Sequence, residues 1–168
     1  MKRKAPRTLA EKYPPSPDCG CEICVRFCRR PGWWTNAQAR RAMQEGLGPR
    51  MMLEVSPEFD FGVLSPAFRG CEGSFALAEF SVAGCTFLSG GLCELHNSPH
   101  MPLECRFCHH ARLGAGARCH DELLQNWRTP GGQALVNQWL VEYGARARIL
   151  QAAALRSSGP PARPARLP

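Results

Sequence analysis

CGCEICVRFCRR, residues 19–30, places Cys19, Cys21, Cys24 and Cys28 within ten positions and follows them with two arginines. Cys21, Cys24 and Cys28 are spaced C-x2-C-x3-C. A two-residue gap lets a tight turn aim both thiolates at one metal ion while backbone amides stabilise the sulfur charge. The unit recurs in ECRFCHH, residues 104–110, where Cys105 and Cys108 repeat C-x2-C about eighty residues on, with Cys85 and Cys93 between. Two such units at a distance predict a metal site closed by the tertiary fold, not a local metal loop.

The rest of the chain fits a small domain that needs such help. It has 168 residues, enough for one ordinary domain. Leu, Ile, Val and Phe together number 33, near the ~20% level below which apolar burial becomes insufficient. The N-terminus MKRKAPRTLAEKYPPSPD has no apolar run of about seven residues, and nothing approaches about 18, so neither a secretory signal nor a membrane helix is expected. A cytoplasmic protein is therefore predicted. In that reducing compartment ten cysteines are better metal ligands or redox groups than structural disulfides.

The formal charge of +7 invites a nucleic-acid reading, because clustered Lys and Arg neutralise phosphates. The distribution argues against it. Lys2, Arg3, Lys4, Arg7 and Lys12 against Glu11 give +4, and Arg156, Arg163 and Arg166 give +3, which accounts for the whole excess. Residues 13–155 are neutral, so nucleic acid is not an expected partner and a metal ion is.

The composition divides the chain into a basic disordered arm (1–18), a cysteine-cluster metal-binding domain closing in helices (19–155) and a Pro- and Ser-rich disordered tail (156–168). Thr35 with Gln38 three residues on predicts a capped helix carrying Ala39, Met43 and Leu47 on one face, stopped by Gly48-Pro49. Short strands are expected at Met51 to Val55 and Phe75 to Phe80, with an irregular stretch between them marked by Pro57, Gly62, Pro66 and Gly70. Two helices follow the cysteines, Asp121 to Trp127 and one begun by Thr129 as cap and Pro130 at its first position. The expected fold class is α+β: a small, irregular, metal-stabilised cysteine-rich domain with short strands and C-terminal helices.

In GCTFLSGGLCELH, residues 84–96, two apolar runs flank Gly90-Gly91, a hairpin signal. A two-residue turn puts Cys85 and Cys93 on opposite faces; a three-residue Ser89-Gly90-Gly91 loop puts them on one face with Phe87 and Leu95. The second register is the expected one, since it gives the cleaner apolar side and turns both sulfurs toward one ion.

CEICVRFC from Cys21 to Cys28, CTFL from Cys85, GLCELH from Gly91 to His96 and PLECR from Pro102 to Arg106 together resemble the YkgJ-type cysteine-cluster proteins, a zinc- or iron-chelating family. That family shows a CxxCxxCC cluster, then C-x-F-L, G-x-C-x-I-Y and P-x-x-C-R segments, in the same order. Phe27 stands at the third cysteine of the family cluster and His96 at its tyrosine. The resemblance implies metal ligation by Cys21, Cys24, Cys28, Cys85, Cys93, Cys105 and Cys108. Two four-coordinate sites need an eighth ligand, and Cys19, Cys71, Cys119, His96 or His120 could supply it. Cys19 otherwise fits neither the triplet nor the family pattern, and His100, His109 and His110 read as surface or hydrogen-bonded residues. Arg29, Arg30 and Arg106 are close enough in sequence to temper the charge of the site.

Thiolate coordination suits zinc, iron or a [4Fe-4S] cluster, and a closed site favours zinc as a structural ion. The alternative function is an iron-sulfur redox or accessory protein. The radical-SAM triplet runs C-x3-C-x2-C, the reverse of this order. Cys105-Arg106-Phe107-Cys108-His109 matches the haem attachment string only formally, because no export signal accompanies it. Neither C-x2-C lies in a βαβ pattern of the redox type. No acid/base pair, nucleophile elbow or phosphate loop is visible, so no catalysis is predicted.

Overall fold

The computed structural model describes residues 8–76 and 81–145. The expected tail and the segment 146–155 before it lie outside the described residues. The elements are α1 (Leu9–Lys12), α2 (Glu22–Phe27), α3 (Asn36–Gln44), β1 (Met51–Val55), β2 (Gly62–Pro66), β3 (Leu88–Ser89), β4 (Leu92–Cys93), α4 (Ala117–Trp127) and α5 (Pro130–Glu142). Single 3-10 turns at Gly48–Arg50, Glu104–Phe107 and His110–Arg112 complete them. This is a small α+β domain. Among the described residues no helix is long and apolar enough to cross a membrane.

Local signals place the starts of α3 and α5 as expected, although α3 ends at Gln44, short of Leu47, and α1 and α2 were not foreseen. The Thr35 side chain accepts from the Gln38 N–H and the Gln38 side chain accepts from the Thr35 N–H, closing the capping box of α3. Thr129 caps α5, with Pro130 at its first position. α4 starts at Ala117, four residues before the expected Asp121, and so carries Cys119 and His120 in its first turn.

β1 pairs antiparallel with β2, Met51 opposite Pro66 and Val55 opposite Gly62. β2 corrects the expectation of an irregular stretch. Gly62 and Pro66, read as breaks, are only its two ends, and Val63, Leu64 and Ser65 between them are buried. Of the expected strand Phe75 to Phe80, the described part shows a parallel bridge between Phe75 and Leu53, and residues 77–80 lie outside the described residues.

The scarcity of aliphatic residues is offset by tryptophan. Trp34, Trp127 and Trp139 are fully buried at the junction of α3, α4, α5 and the β1-β2 pair. Every indole N–H is satisfied: Trp34 donates to the His100 carbonyl at 2.7 Å, Trp127 to the Trp34 carbonyl at 2.8 Å, Trp139 to the Gly48 carbonyl at 2.9 Å and Trp33 to Glu54 at 2.9 Å. Such rings bury large apolar areas, and the hydrogen bonds tie them to one arrangement.

Residues 8–18, assigned by composition to a disordered arm, lie against the body. Arg106 donates to the carbonyls of Ala10 and Tyr13, and Arg112 to those of Pro14 and Pro15. The Tyr13 ring meets Phe107 edge-on at 5.4 Å, and its hydroxyl donates to Glu122. The strap so formed delivers the chain to Cys19.

Candidate metal centre

Cys21 is the N-cap of α2, Cys24 lies one turn inside it and Cys28 is its C-cap. Opposite stands the 3-10 turn His110–Arg112, whose entry is fixed by His109, with Nδ1 accepting from the Ala111 N–H at 3.1 Å. This places His110 Nδ1 at 3.5 Å from the sulfur of Cys19, 3.6 Å from that of Cys21 and 3.4 Å from that of Cys24. The His110 N–H also donates to the Cys24 sulfur at 3.3 Å. The His109 ring rests on that of His110, with centroids 4.2 Å apart. Cys19, Cys24, His109 and His110 each offer a ligand atom within 4.8 Å of the others.

These distances can be compared with what a metal needs. Zinc with Zn–S of about 2.3 Å and Zn–N of about 2.05 Å in tetrahedral geometry separates nitrogen from sulfur by about 3.5 Å. All three sulfur-to-Nδ1 distances meet that value without movement of either segment.

The electrostatics of the cluster are divided. Cys21 is exposed, and its thiol is lowered to about 6 by the Cys24 backbone amide first and then by the Cys19 thiol. Cys24 is buried, and that burial pushes its thiol up to about 11, against the His110 amide, which favours the thiolate. Burial first, and then its charged neighbours, hold the His109 pKa down, so the ring is neutral and fit to ligate. One thiolate and the His109 ring are thus ready, while the interior thiol gives up its proton only to a cation that replaces it.

Behind this cluster lies a cavity of about 60 Å³ walled by Cys28, Cys85, Cys93, Cys105 and Cys108, with Cys19 and Cys24 at its outer side. Burial pushes Cys28 and Cys85 up to about 12 and raises Cys93, while Cys105 is raised first by its hydrogen bond with Cys108. All ten cysteines are free thiols. The chain therefore brings the seven cysteines expected from sequence to one region, with Cys21 and Cys24 beside His110 and the other five around the cavity.

The hairpin carrying Cys85 and Cys93 has the two-residue turn, not the expected three-residue loop. Leu88 pairs with Cys93 and Ser89 with Leu92, and Gly90 and Gly91 take φ of 56° and 81°, a conformation open to glycine. Both sulfurs still reach the cavity because regular pairing spans only two residue pairs. Before it the chain turns, with the Leu88 N–H bonded to the Cys85 carbonyl, so strict alternation of faces does not extend to Cys85.

Other expected participants lie elsewhere. Cys119 is fully buried in the main core and Cys71 packs against the small cluster of Met52, Ala67 and Phe68. His120 pairs with Glu104 at 2.7 Å and stacks on Trp33. His96 reaches Asp18 at 2.9 Å at the cavity mouth. Arg30 pairs with Glu54, and Arg106 donates to the strap. The cation acting on Cys85 is Arg50, whose guanidinium lies 3.9 Å over the Phe87 ring and bonds Glu94 and the Thr86 carbonyl.

Sequence reading leaves His109 and His110 aside and offers Cys19 only as one of five candidates for an eighth ligand. Their signal is present: C-x-C-x2-C extends the triplet backward, and the second C-x2-C is followed at once by two histidines. No family model, curated protein or solved structure matches the chain.

Proposed function

We propose that the protein is a metal-binding cysteine-cluster protein that holds a zinc ion with Cys19, Cys21, Cys24 and His110, while His109 buttresses the His110 ring. The observation that carries this reading is the set of three sulfurs at 3.4 to 3.6 Å from one imidazole nitrogen, drawn from segments some ninety residues apart. A mixed sulfur and nitrogen donor set of four is the closed coordination of structural zinc. Its role is chelation that stabilises the fold, since a structural zinc contributes on the order of 10 kcal/mol or more to a small domain.

The resemblance to YkgJ-type proteins belongs to the same proposal. Its four segments, around Cys21 to Cys28, Cys85, Gly91 to His96 and Pro102 to Arg106, all contribute walls to the adjoining cavity, which supports reading them as one functional unit.

Full-length protein purified anaerobically with reductant, analysed by mass spectrometry for metals and by absorption spectroscopy, tests the reading. Zinc at a stoichiometric level without visible absorption is expected. Iron with acid-labile sulfide bound through Cys19, Cys21 and Cys24 would replace zinc in it. A chain that neither retains nor takes up zinc would end it.

A further inference from the structure

The end of α2 also borders a second hollow, of about 460 Å³, whose walls include none of Cys19, Cys21, Cys24, His109 and His110. Its volume falls in the range of about 300–1,000 Å³ typical of small-molecule pockets. Phe27 of α2, Trp33 and Phe107 give it apolar sides. Gly116, just before α4, keeps the space beside Phe107 clear, since a Cβ there would stand 3.3 Å from that side chain. The rim is cationic. Arg26, Arg30 and Arg112 border the hollow with His120, and Glu104 is the one carboxylate among its lining residues.

Glu104 is fully engaged. One oxygen accepts from the Trp33 backbone N–H at 2.8 Å and the other bonds His120 Nδ1 at 2.7 Å. That second bond, with the His120 ring 4.6 Å from the Trp33 ring, fixes the imidazole and leaves its Nε2 for a ligand. Arg112 gives its N–H groups to the carbonyls of Pro14, Pro15 and Arg106, which hold the guanidinium in place and cancel none of its charge. Arg26 and Arg30 pair with Glu22 and Glu54, neither of which lines the hollow. The Arg26–Glu22 pair is solvent-exposed on both sides, and a pair of that kind contributes little, so a bound anion can replace it. The result is a positive rim above apolar rings, with its single carboxylate paired.

We propose that this hollow is a binding site for a small organic anion, one that lays a flat apolar body against Phe27, Trp33 and Phe107 and sets a phosphate or carboxylate group against Arg26 and Arg112. Planar guanidinium forks match the oxygens of such groups, and aromatic walls favour a flat body. The site goes beyond metal binding and shares no residue with the outer set. Phe27, Pro31 and Cys108 line both this hollow and the thiol cavity, so an occupant would rest against the back of the cysteine cluster.

Phenyl phosphate is the test probe, with inorganic phosphate and phenol as its two halves, each titrated into the reduced full-length chain and followed by NMR of the indole N–H signals. Trp33 is the reporter, because it lines the hollow, whereas Trp34, Trp127 and Trp139 are fully buried and do not. Phenyl phosphate should move the Trp33 signal to saturation and leave the other three still, and each half should bind at least about tenfold more weakly. Arg26→Gln should weaken the probe by about tenfold, as loss of one charge-assisted hydrogen bond does, whereas Arg41→Gln, at a similarly exposed arginine of α3, should not. A Trp33 signal that never moves overturns the proposal, as does an affinity unchanged in Arg26→Gln. Phenol binding as tightly as phenyl phosphate would make the hollow merely apolar, and inorganic phosphate doing so would leave only an anion patch; either also overturns it. The comparison of the three probes needs no variant, and none of these outcomes depends on which residues hold zinc.

Discussion

His110 holds Cys24 twice: its ring nitrogen lies 3.4 Å from the sulfur and its backbone N–H donates to the same atom at 3.3 Å. One residue thereby offers a ligand and also the hydrogen bond that supports its neighbour's charge. His110→Ala removes the first and leaves the second. Loss of an outer-shell partner typically costs 10–100-fold in metal affinity, so loss of this ligand is expected to weaken zinc by more than about 100-fold. Competition against a chromophoric chelator measures it.

His109→Phe is the informative companion. It keeps a flat ring against His110 and removes both nitrogens. Because three thiols and His110 fill four positions in the proposed set, the expected loss is under about tenfold. A loss as large as that of His110→Ala would make His109 a ligand in place of Cys21.

Metal-free protein is expected to lose stability at alkaline pH. Cys28, Cys85 and Cys119 have thiols pushed up to about 12 by burial, whereas an unfolded cysteine ionises near ~8.5. The folded chain thus keeps protons that the unfolded chain releases. That stabilisation is complete below about pH 8.5 and falls as pH rises toward 12. Urea unfolding of chelator-treated protein from pH 7.5 to 10.5 should show it, and Cys119→Ala should flatten part of the slope without touching the cysteines of α2 or the cavity.

Gly32→Ala should separate the Cys105 turn from the start of the core. The added Cβ meets the Cys105 nitrogen at 2.6 Å and Glu104 at 2.8 Å, so backbone must move. Overpacking of this kind costs typically 1–3 kcal/mol, read as a lower midpoint in thermal melting. Gly131→Ala is its control: nothing lies within 4 Å of that Cβ, and alanine in α5 should be neutral or stabilising by up to ~1 kcal/mol.

Trp127→Ala should be the most damaging core change, at about 3–5 kcal/mol. Trp127 is fully buried and its indole satisfies the Trp34 carbonyl. Trp127→Phe keeps most of the volume and leaves that carbonyl without its donor, for about 1–3 kcal/mol. Chemical denaturation of the metal-loaded chain distinguishes the two.

Short-range chemistry was readable in the sequence. The Thr35-Gln38 box, the Thr129-Pro130 start and β1 each depend on residues within one turn or one strand, and each appears where expected. β2 was hidden because Gly62 and Pro66 read as breaks, although a strand tolerates both at its ends. The hairpin register followed glycine backbone freedom, not the sidedness of its cysteines. Most telling is Cys19: its spacing extends the triplet backward, but its partner is set by the strap held by Arg106 and Arg112, which brings it to His110. Spacing announces that the two cysteine stretches meet; which sulfur meets which imidazole across ninety residues it does not say.

Cys24 and His110 are separated by 86 positions in the chain. An ion held between them is therefore a removable cross-link. Any partly unfolded state that kept the ion would carry a closed loop of that length. For a covalent bridge the same loop would remove about 4–5 kcal/mol worth of freedom from the unfolded ensemble. Such an ion would act on the open chain as well as on the closed one, and stripping it would both loosen the native state and widen the space of conformations competing with it.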